Sequence, residues 1–290
     1  MPRITPLIAS LIFASGSAQA LEVLTSFKPI QLITLELTKG VTTPDVLMES
    51  NASPHDYAMR PSDAKKVQDA DVIIWWGHEL ETFMARMVEG NERAIIISEF
   101  ENINFREFAD DHGHDGHDHG STDPHFWLGL STTQAVAKEI VNRLAERDPA
   151  NQSVYMANYD AFAEGLEQAR TEIIGKLAPI KDKGYFVFHD AYGYFEEEFG
   201  LNNIGHFTVS PERKPGAKTL IHIRTTLNEG QGKCVFSEPQ FTPAVVKSVT
   251  RGSNVPVGVL DPVASNIEAK PGGYFDFTHQ LATSFVDCLL

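Results

Sequence analysis

Short apolar runs alternate with amphipathic stretches along most of the chain. Seven runs predict strands, and several of them are continuously apolar, as is typical of parallel strands buried on both faces of a sheet. These runs are Glu22–Phe27, Asp71–Trp76, Ala94–Ser98, Tyr185–His189, Ile204–Val209, Lys233–Ser237 and Val255–Leu260. Helical patterns lie between them, for example at Pro61–Ala70, where a proline opens the first turn. The alternation predicts an α/β fold with mostly parallel sheets flanked by helices.

The pattern changes between residues 151 and 181, where no strand signal occurs. Apolar residues recur there every three or four positions, as on one face of a helix: Tyr155, Tyr159, Phe162, Leu166, Ala169, Ile173 and Leu177. About thirty residues in one helix would span about 45 Å. Such a helix predicts a stiff connector between two lobes. We therefore expect an N-terminal lobe over residues 21–149, a connecting helix over 150–181 and a C-terminal lobe over 182–290.

The first twenty residues have the features of a secretory signal peptide. Arg3 supplies a positive start, residues 4–14 are apolar, and Ala18-Gln19-Ala20 is a small-x-small cleavage site. The apolar stretch is too short for a membrane anchor, although a buried first helix is an alternative. We expect the mature protein to begin near Leu21 and to be free in the periplasm.

Composition and charge narrow the range of functions. The 290-residue chain is 42% apolar and 22% charged, which is enough apolar material for packed cores. Its net charge of −15 argues against nucleic acid and anionic membrane surfaces as partners. The same charge weakly favours cations as ligands.

The chain contains two cysteines, Cys234 and Cys288. In an oxidising compartment we expect them to form a disulfide that ties the C-terminal tail to a strand. The alternative is a pair of thiolate metal ligands. It is disfavoured because neither cysteine belongs to a short-spaced C-x-x-C pair.

The 11 histidines are distributed unevenly, and four of them lie in the acidic, glycine-rich segment 110–120. Such a composition cannot form a core alone and predicts a mobile surface loop. Alternating histidine and aspartate can wrap a divalent cation such as zinc, copper or nickel, weakly and with little selectivity. The alternative is a solvated linker. The four histidines are His112, His114, His117 and His119.

Three other histidines stand out by their positions. His55 lies in a loop before the helix at Pro61, and His125 follows the histidine-rich segment. His189 ends a predicted strand, where ligands bind in open α/β sheets. Three neutral imidazoles with a carboxylate or a water would form a tetrahedral zinc site. Taken singly, each histidine is more often a surface or core residue, and spacing alone does not join them.

Aspartates near these positions are candidates for supporting roles. Asp261 follows the strand Val255–Leu260 and is the carboxylate candidate for a fourth ligand. The commoner role of an aspartate before a proline is to cap a turn or helix. Asp56 and Asp190 adjoin candidate ligands and are candidates for accepting hydrogen bonds from their imidazoles.

A set of stretches, in this order along the chain, resembles a known family. It is similar to the zinc-specific solute-binding proteins of bacterial ABC zinc importers, the ZnuA group of the TroA-like metal-binding superfamily. The resemblance covers essentially all of the mature chain. The stretches are Ser53–Tyr57, Arg60–Asp63, Asp123–Leu128, Phe188–Phe195, Gly205–Val209, Glu238–Phe241 and Leu260–Pro262.

The resemblance implies two α/β lobes joined by one long helix, with zinc held in the cleft between them. It implies that His55, His125 and His189 are ligands, with Asp261 or a water at the fourth position. Some zinc members have glutamate immediately before the first ligand histidine, where this chain has Pro54. The family also has a C-terminal disulfide, which the two cysteines match, and a histidine-rich acidic loop.

The function expected from the resemblance is capture of Zn²⁺ in the periplasm and its delivery to the membrane permease of an ABC transporter. The protein is expected to be a monomer and not an enzyme. A manganese or iron carrier is an alternative, but these cations prefer oxygen ligands. A zinc hydrolase would need a general base beside the metal, and no glutamate has a convincing spacing for that role. Glu238 is the best remaining candidate, and we interpret it as structural. An adhesin or a plain metal buffer is a further alternative.

Overall fold

The computed structural model describes residues 21–108, 122–241 and 244–290. The predicted signal peptide, residues 1–20, and the histidine-rich segment 110–120 lie outside the described residues. No helix in the described ranges combines the length and apolar character that a membrane span requires.

The N-terminal lobe contains a four-stranded sheet in the order β2-β1-β3-β4, in which every pairing is parallel. Its strands are β1 (Val23–Thr25), β2 (Asp45–Val46), β3 (Val72–Trp75) and β4 (Ala94–Ile96). Its helices are α1 (Lys28–Leu37), α2 (Pro61–Asp69), α3 (Thr82–Val88) and α4 (Leu130–Arg147). Every residue of β1 and β3 is buried, which accounts for their apolar runs.

The C-terminal lobe repeats this plan with a parallel sheet in the order β6-β5-β7-β8. Its strands are β5 (Gly184–His189), β6 (Asn203–Thr208), β7 (Gly232–Ser237) and β8 (Val257–Val259). Its helices are α6 (Gly193–Phe199), α7 (Ala217–Asn228), α8 (Ala244–Thr250) and α9 (Gly273–Leu289). Every residue of β5 is buried, and its last residue, His189, lies at the carboxyl end of this sheet.

One long helix, α5 (Gln152–Leu177), joins the lobes. Its 26 residues span about 39 Å, and short 3-10 turns precede it at Pro149–Asn151 and follow it at Ala178–Ile180. It packs against α1 and α4 of the first lobe and α9 of the second. The predicted apolar stripe is buried except at the partly exposed Tyr159. The two parallel sheets and this helix confirm the predicted α/β architecture.

The lobes share buried contacts in addition to the long helix. One apolar cluster runs through both lobes. The indole N–H of the buried Trp127 donates to the carbonyl of Pro262 at 2.7 Å. The Tyr274 hydroxyl in α9 donates to the carbonyl of Trp127 at 2.8 Å. Separating the lobes would break these hydrogen bonds and expose apolar surface of the shared cluster to water.

Cys234 in β7 and Cys288 in α9 form a disulfide, with their Cα atoms 5.9 Å apart. The prediction of a bond between the C-terminal tail and a strand is confirmed. The thiolate-ligand alternative is wrong, because both sulfurs are in the covalent bond.

All seven predicted strands are present, with ends that differ by a few residues. The strand that sequence patterns did not predict is β2, which has two residues and is exposed at Asp45. A two-residue edge strand with a polar side chain carries too little periodicity to be recognised.

Candidate metal centre

Three histidines from separate parts of the chain converge between the lobes. His55 lies in the loop between β2 and α2, His125 precedes the 3-10 turn Phe126–Leu128, and His189 is the last residue of β5. The Nε2 atom of His125 lies 3.3 Å from Nε2 of His55 and 3.3 Å from Nε2 of His189. Their ligand atoms all lie within 4.8 Å of one another, and no other group of three histidines, cysteines or acids in the described ranges is placed to hold a metal.

The nitrogen spacing fits a tetrahedral metal. Ligand nitrogens about 2.0–2.1 Å from zinc lie about 3.3–3.4 Å from one another at the corners of a tetrahedron. Two of the nitrogen pairs have this separation. The three histidines are therefore positioned to bind one metal ion through Nε2.

Buried carboxylates orient two of the rings. Nδ1 of His125 lies 2.7 Å from Oδ1 of Asp123, and Nδ1 of His189 lies 2.6 Å from Oε1 of Glu238. An ionised carboxylate can only accept, so each Nδ1 carries the proton and each Nε2 faces the centre. The tautomer that metal binding needs is thus set by the hydrogen-bond network.

Burial and neighbouring charged groups shift the pKa values of the three imidazoles. It lowers the pKa of His55 well below its usual value, and the neighbouring His125 and His189 lower it further. The pKa of His125 is also lowered well below its usual value, first by burial and then by His189. Burial lowers the pKa of His189 too, but Glu238 outweighs it and the net pKa is raised. His189 is therefore the imidazole at which protons compete most strongly with a cation.

Asp123 is completely buried beside His125. Burial raises the pKa of Asp123 to about 6, although the main-chain N–H of His125 and the guanidinium of Arg106 act in the opposite direction. Arg106 Nη1 lies 2.8 Å from Asp123 Oδ2. The carboxylate is therefore mostly ionised at neutral pH and can hold the His125 ring.

The space between the rings is small. The void is about 10 Å³, about the volume of one water-sized sphere. Apolar side chains and the histidines line it, together with Glu238 and Gln240. A single ion with a small ligand fits this space, and an organic substrate does not.

Asp261 is not brought into the group of three histidines. Its carboxylate accepts hydrogen bonds from the side chain of Gln240 at 2.9 Å and from the main-chain N–H groups of Val263 and Ser265 at 3.2 and 2.6 Å. These bonds fit the turn-capping role that was the alternative for this residue.

The aspartates adjacent to the candidate ligands are not the acceptors of the Nδ1 hydrogen bonds. Asp190 lies 3.9 Å from Nδ1 of His206, and the acceptors are Asp123 and Glu238. Sequence reasoning missed Asp123, and it interpreted Glu238 as structural without identifying it as the partner of a ligand ring. Asp123 could have been recognised from the sequence, because only Pro124 separates it from His125.

The histidine-rich segment predicted to assist metal binding lies outside the described residues, so its role stays a prediction. The histidines concerned are His112, His114, His117 and His119.

Comparison with known proteins identifies the family to which the chain belongs. The model of the family described as "Zinc-uptake complex component A periplasmic" matches residues 23–288. The chain belongs to this zinc-uptake family. The family description also places its members in the periplasm.

Individual relatives agree with this assignment. The high-affinity zinc uptake system protein ZnuA of Yersinia pestis is 39% identical over 92% of this chain and 91% of its own length. The protein of the same name from Haemophilus influenzae is 33% identical, with 99% of this chain and 98% of the relative covered.

Solved structures share the fold. A zinc-bound deletion mutant of ZnuA superimposes with a TM-score of 0.79 at 24% identity, covering 93% of this chain and 98% of that one. The AdcAII protein of Streptococcus pneumoniae also gives a TM-score of 0.79, at 20% identity over 94% of this chain and all of that chain. At these identities the likeness establishes the two-lobed fold.

Proposed function

We propose that this protein captures Zn²⁺ in the periplasm and delivers it to the membrane permease of an ABC transporter. The observation that carries the proposal is the convergence of three histidines whose ligand nitrogens lie within 4.8 Å of one another, with two of the Nε2 separations at the value for a tetrahedron around zinc. Membership of the zinc-uptake family supports the transport role.

The donor set supports zinc over manganese or iron. All three proposed ligands, His55, His125 and His189, offer neutral nitrogen, which suits zinc, whereas the harder cations favour carboxylate and water oxygens. Manganese should compete poorly with zinc for this centre.

We assign the fourth coordination position to a water. The oxygens of Asp261 already accept hydrogen bonds from Gln240, Val263 and Ser265, and these partners would be left unsatisfied if the carboxylate turned to a metal. The void beside the rings is large enough for one water. An exchangeable ligand would also suit a protein that has to release its ion.

A hydrolytic role is disfavoured by the same geometry. A zinc hydrolase needs room for a substrate and a general base beside the metal-bound water. The void of about 10 Å³ has no such room. Glu238 lines the void, but its Oε1 accepts a hydrogen bond from Nδ1 of His189 and so holds that ring. We therefore assign the site to binding and release, with no catalytic residue.

The route to the periplasm and the partner follow from the same proposal. Removal of residues 1–20 near Ala20 would leave a mature protein beginning near Leu21, with lobes over 21–149 and 182–290 and the connector over 150–181. A monomer with both lobes facing the permease would suffice for delivery. The buried contacts of Trp127 with Pro262 and Tyr274 support only a small movement of the lobes when zinc binds.

Complementation tests the delivery role. In a strain that lacks its own zinc-uptake binding protein, this chain should restore growth in zinc-depleted medium. A variant with His55, His125 and His189 changed to alanine should not. Deleting the permease should abolish the rescue; rescue that persists without the permease would favour a metal buffer or adhesin instead.

A further inference from the structure

The two chain segments that flank residues 109–121 in the sequence are hydrogen-bonded to each other. The main-chain N–H of Asp123 donates to the carbonyl of Arg106 at 2.7 Å. Beside them, Glu107 and Thr122 form an isolated antiparallel bridge. Arg106 and Asp123 thus belong to one small ladder of two paired segments in the N-terminal lobe.

The guanidinium of Arg106 links this ladder to the C-terminal lobe. Its Nη1 donates to Oδ2 of Asp123 at 2.8 Å, and its Nε donates to Oε1 of Glu197 in α6 at 2.7 Å. The main-chain N–H of Arg106 donates to the Tyr194 hydroxyl at 2.8 Å, and that hydroxyl donates to the carbonyl of Asp123 at 2.9 Å. Helix α6 is therefore attached to the ladder by three hydrogen bonds, through Tyr194 and Glu197.

Gly193, the first residue of α6, gives the guanidinium the space that it occupies. A Cβ at this position would lie 2.2 Å from Cζ of Arg106. The backbone of Gly193 does not have a positive φ, so the glycine is required for space rather than for conformation. An alanine here would displace Arg106 without changing any charge.

The other oxygen of the Asp123 carboxylate belongs to the metal centre. Oδ1 lies 2.7 Å from Nδ1 of His125 and accepts the main-chain N–H of His125 at 3.0 Å. Asp123 is completely buried and the Arg106 side chain is 17% exposed, so solvent screens their contact little. One carboxylate thus connects an interlobe contact to a metal-binding ring.

We propose that Arg106 is a positioning residue that couples the seating of α6 on the N-terminal lobe to the orientation of the His125 ring, and so to retention of zinc. The inference rests on the proposed function. With Arg106 in place, Asp123 is held at both oxygens and the His125 ring is locked with Nε2 inward. Because coupling is reciprocal, zinc binding in turn strengthens the contact between α6 and the ladder.

Glu198 provides a matched control on the same helix. Its carboxylate accepts from the Ser131 side chain in α4 at 2.9 Å and from Nε of Arg170 in α5 at 2.7 Å. It therefore joins α6 to α4 and α5, and not to the ladder that Arg106 and Asp123 form. None of its hydrogen bonds reaches a group that contacts His55, His125 or His189.

The test compares Arg106→Gln, Gly193→Ala and Glu198→Ala with wild type. Zinc release to a chelator would be followed by stopped flow, and the His125 tautomer in zinc-free protein by ¹⁵N NMR. Arg106→Gln and Gly193→Ala should release zinc about tenfold faster, as is typical when the partner of a ligand histidine is disturbed. Their His125 should exchange between tautomers. Glu198→Ala should keep the wild-type rate and the Nδ1–H tautomer.

The outcomes separate the inference from the function on which it rests. If Arg106→Gln and Gly193→Ala release zinc at the wild-type rate with an unchanged tautomer, the coupling is wrong and the zinc-binding function stands. Equal acceleration in all three variants would mean that loss of lobe contact alone is responsible, which also overturns the inference. If wild type itself retains no zinc, the proposed function has failed.

Discussion

Nδ1 of His189 lies 2.6 Å from Oε1 of Glu238, and both side chains are almost completely buried. The carboxylate fixes the tautomer of the ring and strengthens its Nε2 as a donor to a metal. It also raises the pKa of His189 against the opposing effect of burial. This pair therefore influences both the affinity for zinc and its dependence on pH.

Glu238→Gln should weaken zinc binding about tenfold at a pH of about 8, where protons compete little. The amide keeps the size of the side chain and can still accept a hydrogen bond, so the change isolates the charge. Competition titration against a chelator measures the effect. An unchanged Kd would show that the carboxylate does not support the metal centre.

Asp261→Asn should leave zinc affinity close to wild type, because we assign the fourth position to water. The same change should lower the free energy of unfolding by about 1 kcal/mol, since the carboxylate accepts the main-chain N–H of Ser265 at 2.6 Å. His55→Ala serves as the comparison that removes a proposed ligand. A loss of affinity in Asp261→Asn as large as in His55→Ala would make Asp261 the fourth ligand.

Zinc affinity should fall in two stages as the pH is lowered. The pKa of His189 is raised, so a proton competes with zinc there first as the pH falls. The pKa values of His55 and His125 are lowered, so these rings are protonated only at lower pH. Calorimetric titration across this range should also show proton release on zinc binding. Equal affinity at pH values of about 5 and about 7.5 would contradict histidine ligation.

Glu81 should destabilise the fold at alkaline pH. It is fully buried, accepts the main-chain N–H groups of Trp76 and Gly77, and burial raises its pKa to about 7. Because the folded state binds this proton more tightly than the unfolded state, stability is lost as the pH rises through about 7. Between a pH of about 5 and about 8, wild type should therefore lose roughly 2–3 kcal/mol of stability that Glu81→Gln does not lose.

Denaturant unfolding at the two pH values measures this effect. The matched control is Glu79→Gln, an exposed position two residues away, which should change stability little at either pH. If wild type and Glu81→Gln change in stability equally between the two pH values, the carboxylate is accommodated in its ionised form.

The sequence predicted the parts of this molecule that follow from local rules. Continuous apolar runs marked the buried strands, and the stripe from Tyr155 to Leu177 marked the long helix. His189 was found because ligands gather at the carboxyl ends of parallel strands. The edge strand β2 was missed because two residues carry no period.

Local sequence patterns could not predict the metal centre or the carboxylates that hold its histidines. His55 and His125 are separated by 70 residues and lie in loops, so only tertiary structure, or resemblance to a known family, joins them. Adjacency made Asp56 and Asp190 candidates for partners of the ligand rings, whereas the partners in the structure are Asp123 and Glu238. Asp261 could cap a turn or face a metal, and its identity alone did not decide between them.

The measurement that tests the central claim most directly is zinc titration of chelator-stripped mature protein. Wild type would be compared with the triple variant His55→Ala, His125→Ala, His189→Ala. The matched control changes His78, His222 and His279, which lie outside the centre, to alanine.

Wild type and the control should each bind one zinc tightly, and the first triple variant should lose that tight binding. Any weak binding by residues 110–120 should persist in all three proteins. Equally tight binding by the His55, His125 and His189 variant would contradict the account, because the ligands would then lie elsewhere.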